Sequence, residues 1–313
     1  MTTATPVVCL AGGVGGAKLA EGLQAAVADA LTVVVNTADD GERHGLLVCA
    51  DHDTVMYTLA GIENQETGWG IAGDTWEAMA ALERYGEDGW FRLGDRDLAT
   101  HIARTARLRA GERLTVVCRA LQHSLGVRAA ILPMSDEPVR TKVRTDDGWL
   151  DFQDYFVRLR QAPDVREVRF DAVEIAHPTP EVLVALATAT VIVIAPSNPI
   201  VSIGPILAVP GMTEALASAR ARGARIVAVS GIVGGKALKG PADRMLASLG
   251  HEPTAVGVAR GYAGLIDDFV LDTVDAALAP EVEALGVRVR IADTIMTNDA
   301  SRARLAAEVL AAG

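Results

Sequence analysis

One glycine-rich turn and a cluster of four aspartates, Asp39, Asp40, Asp51 and Asp53, fall within the first 53 residues of this 313-residue chain. An apolar run, Val7 to Ala11, breaks into Gly12-Gly13-Val14-Gly15-Gly16, and a helical pattern follows from Ala17. Glycine at four of five positions lets a backbone turn tightly and bring its N–H groups against a phosphate at a helix N-terminus. A second apolar run, Thr32 to Val35, leads into Asn36-Thr37-Ala38-Asp39-Asp40, with Asp51 and Asp53 soon after. Carboxylates beside a phosphate pocket need a cation between them. Two unit charges ~4 Å apart repel by roughly 1 kcal/mol in water and ~4 kcal/mol at an effective dielectric of about 20. The ligand this pattern expects is a nucleotide diphosphate held with a hard divalent metal, Mg2+ or another such cation, for which one or two of the carboxylates plus phosphate would suffice.

Each motif also has a plainer reading. The GGVGG turn is neither a dinucleotide fingerprint, whose third glycine would fall at Lys18, nor a P-loop, since Ala17 precedes that lysine and Leu19 follows it. A tight turn is the alternative to phosphate contact, to which Lys18 would add charge. An isolated Asp-Asp is commonly a solvated turn, and Asp53 would serve equally as a helix cap. Ser197-Asn198, held between Pro196 and Pro199, either closes a buried loop or contacts nucleotide. The second glycine loop, Ser230-Gly231-Ile232-Val233-Gly234-Gly235-Lys236 with Lys239 nearby, is a base- or phosphate-binding loop or a surface turn. Arg96 stands just before an expected helix start, where a cation opposes the helix dipole and so calls for a ligand or carboxylate. His52 and His101 read as surface or core histidines, and no Ser-His-Asp or Cys-His nucleophile arrangement is visible.

The elements that must position these residues alternate. Strand and helix patterns before Asp53 and after about residue 180 predict an α/β protein of doubly wound, Rossmann-like type with a mainly parallel sheet. The later strands are Val191 to Ala195, Arg225 to Val229, Phe269 to Leu271 and Val287 to Ile291, and a closing helix begins at Asp299. Between them, helical periodicity marks Thr54 to Ala60, Thr75 to Tyr85, Leu98 to Arg109 and Arg113 to Leu125, with Asp53, Asp74 and Asp97 at cap positions. Extended runs follow at Val127 to Pro133 and Val139 to Thr145, and Asp147-Gly148 signals a hairpin. We therefore expect a single domain over 1–313. Its insert, about 54–175, would fold over the strand C-terminal edge, where open α/β sheets bind ligands.

Bulk properties exclude some classes. A net charge of −11 and only 4% aromatic residues argue against nucleic-acid binding, which needs a positive surface and stacking platforms. Cys9, Cys49 and Cys118 are widely spaced, which fits neither a disulfide framework nor a zinc site and suits a reducing cytoplasm. The uncharged stretch between Glu181 and Glu214 is punctuated by four prolines and is too short in any segment to span a bilayer. With no basic, apolar leader after Met1, the expectation is a soluble cytoplasmic protein without membrane partners.

Longer strings carry a resemblance. "NTADD" from Asn36, "ADHDTVMYTLAG" from Ala50, "GDRDLATHIART" from Gly94, "LPMSDEPVRT" from Leu132, "FQDYFVR" from Phe152, "APSNPIVSIGPILAVPGM" from Ala195 and "GPADRMLASLG" from Gly240 join the GGVGG turn. Together they resemble, nearly end to end, the 2-phospho-L-lactate transferase family of coenzyme F-420 biosynthesis, including its phosphoenolpyruvate-transferring bacterial members. The resemblance implies a generally homodimeric enzyme that moves a phosphorylated three-carbon acid from a guanosine diphosphate ester to the deazaflavin Fo and releases GMP. It places Asp51 and Arg96 against Fo, and Asp39 as metal ligand with Asp40 beside it. Gly12 to Gly16, Lys18, Ser197, Asn198, Ser230, Gly234 and Lys236 fall on the nucleotide side. Asp40 or Asp51 would accept the acceptor's hydroxyl proton. Ala50 stands where the family usually has proline, and Ser230-Gly231-Ile232 where Ser-Pro-Ile is usual, which bears on the contacts of that loop. Two rival readings are a nucleotide-sugar-binding regulator of related fold, which would lack the strings around Asp51 and Arg96, and a nicotinamide-dependent dehydrogenase, which the missing third glycine disfavours.

Overall fold

The computed structural model describes residues 5–312. Seven strands form one sheet: β1 (Val7–Ala11), β2 (Leu31–Val35), β3 (Ala130–Pro133), β4 (Val191–Ile194), β5 (Arg225–Val229), β6 (Asp268–Asp272) and β7 (Arg288–Ala292). Their spatial order is β7-β6-β5-β4-β1-β2-β3, and every neighbouring pair is parallel. Chain order therefore reverses between β1 and β4, the switch point at which a doubly wound sheet opens a crevice.

Apolar residues alternate faces along each strand. Val8, Leu10, Ile192 and Ile194 pack into one core, while Val7, Cys9, Val191 and Val193 pack into the other. A run apolar at every position is what a sheet covered on both faces requires. The second core is closed by α1 (Gly13–Val27), α2 (Ala50–Leu59) and the C-terminal helix Asp299–Ala312, through Leu19, Leu23, Val55, Met56, Leu305 and Val309. The proline-rich stretch wraps the opposite face, where Ile203, Ile206, Met212 and Leu216 are buried. Among the described residues no single helix is long and apolar enough to cross a membrane.

The segment expected as an insert divides. Its first part holds helix Glu77–Arg84, α3 (Asp95–Arg109) and α4 (Leu114–Ser124). The strand expected to open its β-rich part, Ala130–Pro133, joins the main sheet as edge strand β3, because Ile131 and Leu132 alternate into the two cores like any other sheet residue. A separate antiparallel sheet follows, in which Arg140–Thr145 pairs with both Gly148–Asp151 and Glu167–Asp171. Helix starts also differ from the periodicity. Helix α1 begins at Gly13 rather than Ala17, and α2 at Ala50 rather than Thr54. Asp51 and Asp53 therefore lie inside the first turn of α2, with Asp53 not at its cap.

Candidate active site

The chain leaves β1 through Gly12, in extended backbone (φ −159°), and enters α1 at Gly13 (φ +60°), a left-handed conformation that favours glycine. The N-cap residue, Gly12, has no side chain with which to cap this helix. The loop after β4 lies hard against it. A methyl group at Gly15 would come 2.5 Å from the Pro196 carbonyl oxygen, and one at Gly12 would collide with the Asp51 carboxylate and Ser202. Across this contact the Ser197 Oγ accepts the Gly12 N–H at 3.1 Å and donates to the Gly12 carbonyl at 2.7 Å. Asn198 caps the following turn, its Oδ1 accepting the Ile200 N–H at 2.9 Å.

Asp51 reaches the same place from α2. Its Oδ1 accepts the Gly13 N–H at 2.8 Å, and its Oδ2 accepts from the Asn36 amide at 3.0 Å. The N–H groups of Val14 and Gly15 follow in the first turn, where a helix offers no internal partner. Asp39, on the loop after β2, is 6% exposed, and its Oδ1 has no hydrogen-bond partner. Burial, then the charge of Asp51, pushes the Asp39 pKa well above the ordinary carboxylate range. Burial also pushes Asp51 up to about 6. Two buried carboxyls that disfavour each other's ionisation are relieved by a proton or a cation. With the orphaned oxygen on Asp39, this all-oxygen set fits a hard divalent ion such as Mg2+. Asp40 turns the other way, towards a smaller cavity of about 280 Å³ shared with Thr37, Asp136 and Arg140, and burial pushes its pKa up to about 7.

A second acidic group borders the same space. Asp53, Asp97 and His101 bring one ligand-type atom each within 4.8 Å of one another. The charge of Asp53 is already compensated. Arg104, 0% exposed, forks onto both oxygens of Asp53, donates to the Leu47 carbonyl at 3.3 Å, and lies 3.3 Å from His101 Nδ1. Burial alone would raise the Asp53 pKa, but Arg104, His52 and His101 hold it well below the usual range. Tyr57, whose phenol burial and nearby carboxylates keep protonated, donates to Asp97 at 2.7 Å. A metal here would sit against a buried guanidinium, so the uncompensated place is at Asp39 and Asp51.

These groups line one cavity of about 650 Å³, within the range of small-molecule sites. Gly12, Gly13, Val14, Gly15, Asp39, Asp51, Ser197 and Asn198 all face it. So do Tyr57, Trp69, Trp90, Phe91, Phe152 and Phe156, a concentration of rings in a chain that is 4% aromatic. Other nominated residues lie outside the lining. Lys18 donates to the Met296 carbonyl at 3.0 Å, Lys236 is 3.4 Å from Asp243, Ser230 closes its own turn onto Ile232, and the Gly234 N–H is held by Asp275. Arg96 falls in the first turn of α3, where its backbone N–H donates to Asp74 at 2.9 Å and its guanidinium to the Ala72 carbonyl. Sequence reasoning did not single out the aromatic walls, Ser202 or Arg92, and it read His101 as bland. The available signal was the clustering of scarce aromatics beside the family-typical strings.

Residues 7–307 match the family model described as 2-phospho-L-lactate transferase CofD. The chain is 48% identical over 313 residues to a phosphoenolpyruvate transferase of Streptomyces griseus subsp. griseus, with 97% of each chain covered. It is 40% identical over 307 residues to a 2-phospho-L-lactate transferase of Methanosarcina mazei, with 98% of this chain and 100% of the other covered. A crystal structure of a UPF0052-family protein from Bacillus halodurans superposes with a TM-score of 0.64 at 19% identity, covering 99% of this chain and 100% of the other. That likeness bears on the fold alone.

Proposed function

The chain belongs to the 2-phospho-L-lactate transferase CofD family, and from that premise we propose that it transfers a phosphorylated three-carbon acid from a guanosine diphosphate ester to the deazaflavin Fo, forming a coenzyme F-420 precursor and GMP. The observation that carries this reading is the pairing of Asp39 and Asp51 at the open end of α1. One place offers both an anion cradle and an unmet demand for a cation. Phosphoenolpyruvate is the preferred acid, since the Streptomyces relative at 48% identity is named for that substrate.

In this reading the N–H groups of Val14 and Gly15 receive the donor's phosphates, and Ser197, bonded both ways to Gly12, holds the turn that presents them. Phosphoryl transfer depends chiefly on positioning and charge stabilisation, and the loop after β4 fixes that geometry by its contact with Gly12 and Gly15. Asp39 would hold Mg2+, which supplies Lewis-acid stabilisation of the charge developing on the diphosphate oxygens. The ring-lined walls suit the flat, polycyclic acceptor. Its side-chain hydroxyl oxygen forms the new bond to the phosphorus bearing the acid, the bond from that phosphorus to GMP breaks, and the hydroxyl proton passes to Asp51. Asp51 is placed for that transfer by its position in the cavity lining beside the start of α1. Asp40, turned to the other cavity, takes no part in it. Arg96 is proposed to act on the acceptor from beside the segment 62–74, which it ties down at Ala72.

Incubation of the protein and MgCl2 with Fo and, in turn, the phosphoenolpyruvyl, 2-phospholactyl and 3-phosphoglyceryl guanosine diphosphates tests the reading by mass spectrometry of the product. Formation of the phosphoenolpyruvyl ester of Fo with release of GMP is expected. The absence of product from all three donors would refute the reading.

A further inference from the structure

The cavity is poor in positive charge for a site that receives a diphosphate. Four carboxylates line it, those of Asp39, Asp51, Asp53 and Asp97, against two formal cations, Arg92 and Lys239. The Arg92 guanidinium lies 5.7 Å from the centre of the Trp76 ring, on which it is held. Lys18, the lysine nearest the glycine turn in sequence, is spent on the Met296 carbonyl outside the cavity. That leaves Lys239, on the loop that follows the hairpin Ile232–Val233 with Lys236–Ala237.

Lys239 lies beside the first turn of α1. The point that a methyl group on Gly68 would occupy is 2.7 Å from Lys239 Nζ and 3.0 Å from the nearer Val14 methyl, so the ammonium and the first turn of the helix face each other across Gly68. The ammonium donates to one neutral group, the Thr67 carbonyl, at 3.3 Å. An ammonium has three donors, and two remain for a ligand. Thr67 belongs to the segment 62–74, which carries Trp69 into the cavity wall and is pinned at its far end by Arg96.

Building on the proposed guanosine diphosphate donor, we infer that Lys239 binds the donor's phosphates opposite the N-terminus of α1 and, through Thr67, couples donor binding to the ordering of the segment that walls the acceptor space. Lys239 is thereby a donor-specificity residue. It recognises a nucleoside diphosphate by charge, where the backbone N–H groups recognise it by direction.

Calorimetric titration with GDP in the presence of MgCl2 tests this on the wild-type protein and on Lys239→Ala, Lys239→Arg and Lys236→Ala. The last removes the same charge from the preceding hairpin strand, outside the cavity. Lys239→Ala should weaken GDP binding on the order of 10- to 100-fold, the range for losing a charged hydrogen bond. Lys236→Ala should stay within about twofold, because a screened surface charge acts weakly. Lys239→Arg should retain most of the affinity. GDP should also slow proteolytic cleavage within 64–70 in the wild type and do so less in Lys239→Ala. Equal GDP affinity in Lys239→Ala and wild type would overturn this inference alone, including the case where the variant's segment is merely cleaved faster without ligand. Failure of the wild type to bind GDP would overturn the donor reading and this inference with it.

Discussion

Replacing Arg104 with methionine should destabilise the protein severely although Arg104 itself does not line the cavity. The guanidinium is fully buried and compensates Asp53, which is 5% exposed and also faces His52 and His101. Removing one partner of a buried ion pair leaves an uncompensated charge and costs about 3–5 kcal/mol. At roughly 2–4 °C per kcal/mol for a chain approaching this size, the melting temperature should fall by roughly 6–20 °C. The sign with pH follows from Asp53, whose pKa is held low in the folded state. Its contribution is present above about pH 4, where an unfolded aspartate is ionised, and is lost as pH falls through the lowered folded value. The gap between wild type and variant should therefore be widest at neutral pH and close on strong acidification. Urea denaturation followed by circular dichroism, as a cycle of Arg104→Met, Asp53→Asn and the double variant, measures the coupling. The double variant should be more stable than Arg104→Met alone, because the stranded charge has gone. A loss below about 1 kcal/mol for Arg104→Met, or a double variant no better than the single, would refute the account of Arg104 as the counter-charge that keeps metal away from Asp53, Asp97 and His101.

Other consequences are equally direct. Asp39→Asn should lower Mg2+-dependent turnover on the order of 10²-fold or more, as loss of a principal electrostatic stabiliser does, and undiminished turnover would remove Asp39 as the metal ligand. Burial raises both pKa values, that of Asp39 well above the ordinary range and that of Asp51 to about 6, so the folded metal-free protein favours the protonated forms, and the Asp51 contribution is lost as pH rises from about 4 through about 6. MgCl2 should therefore raise the melting temperature more at pH 8 than at pH 5, and an equal shift at both would count against metal binding there. Gly15→Ala, which drives a methyl group onto the Pro196 carbonyl, should cost about 1–3 kcal/mol and reduce GDP affinity, as equilibrium unfolding and titration would show. Trp90→Ala should weaken Fo binding, measured by Fo fluorescence, with little change in GDP affinity, and a loss confined to GDP would refute the assignment of the aromatic walls.

Much of the sheet was legible because its strands are apolar without interruption and bounded by glycine, proline or aspartate, as at Val7 to Ala11 and Val191 to Ile194. Helix starts were less so. Glycine is a poor helix former, so Gly13 to Gly16 read as a turn. In the fold, contact with Pro196 and Ser197 holds those residues in the first turn of α1. Strand β3 was placed in the insert because its sheet partner, β2, lies about a hundred residues earlier in sequence. At the site, Asp39, Asp51, Ser197 and the glycine turn follow directly from strand or helix ends, which fixes where they face. Lys18 and Lys236 do not share that constraint. Where a long side chain on a helix or hairpin points depends on what packs beside it, here Met296 and Asp243. The aromatic walls are gathered from positions 57 to 156, and no local spacing betrays such an assembly.

The bond between Asp51 and the Gly13 amide has an outcome for which small molecules gain entry. That helix end, which would ordinarily welcome any anion, is already engaged by an anion tethered to the same chain and always at hand. Free phosphate or metal-free nucleotide must compete with this resident rival and bear its repulsion as well. On the proposed reading, a diphosphate escorted by its own divalent counter-ion would meet two acids as hosts. The fold would then sort visitors by the company they keep, before any feature of base or sugar is inspected.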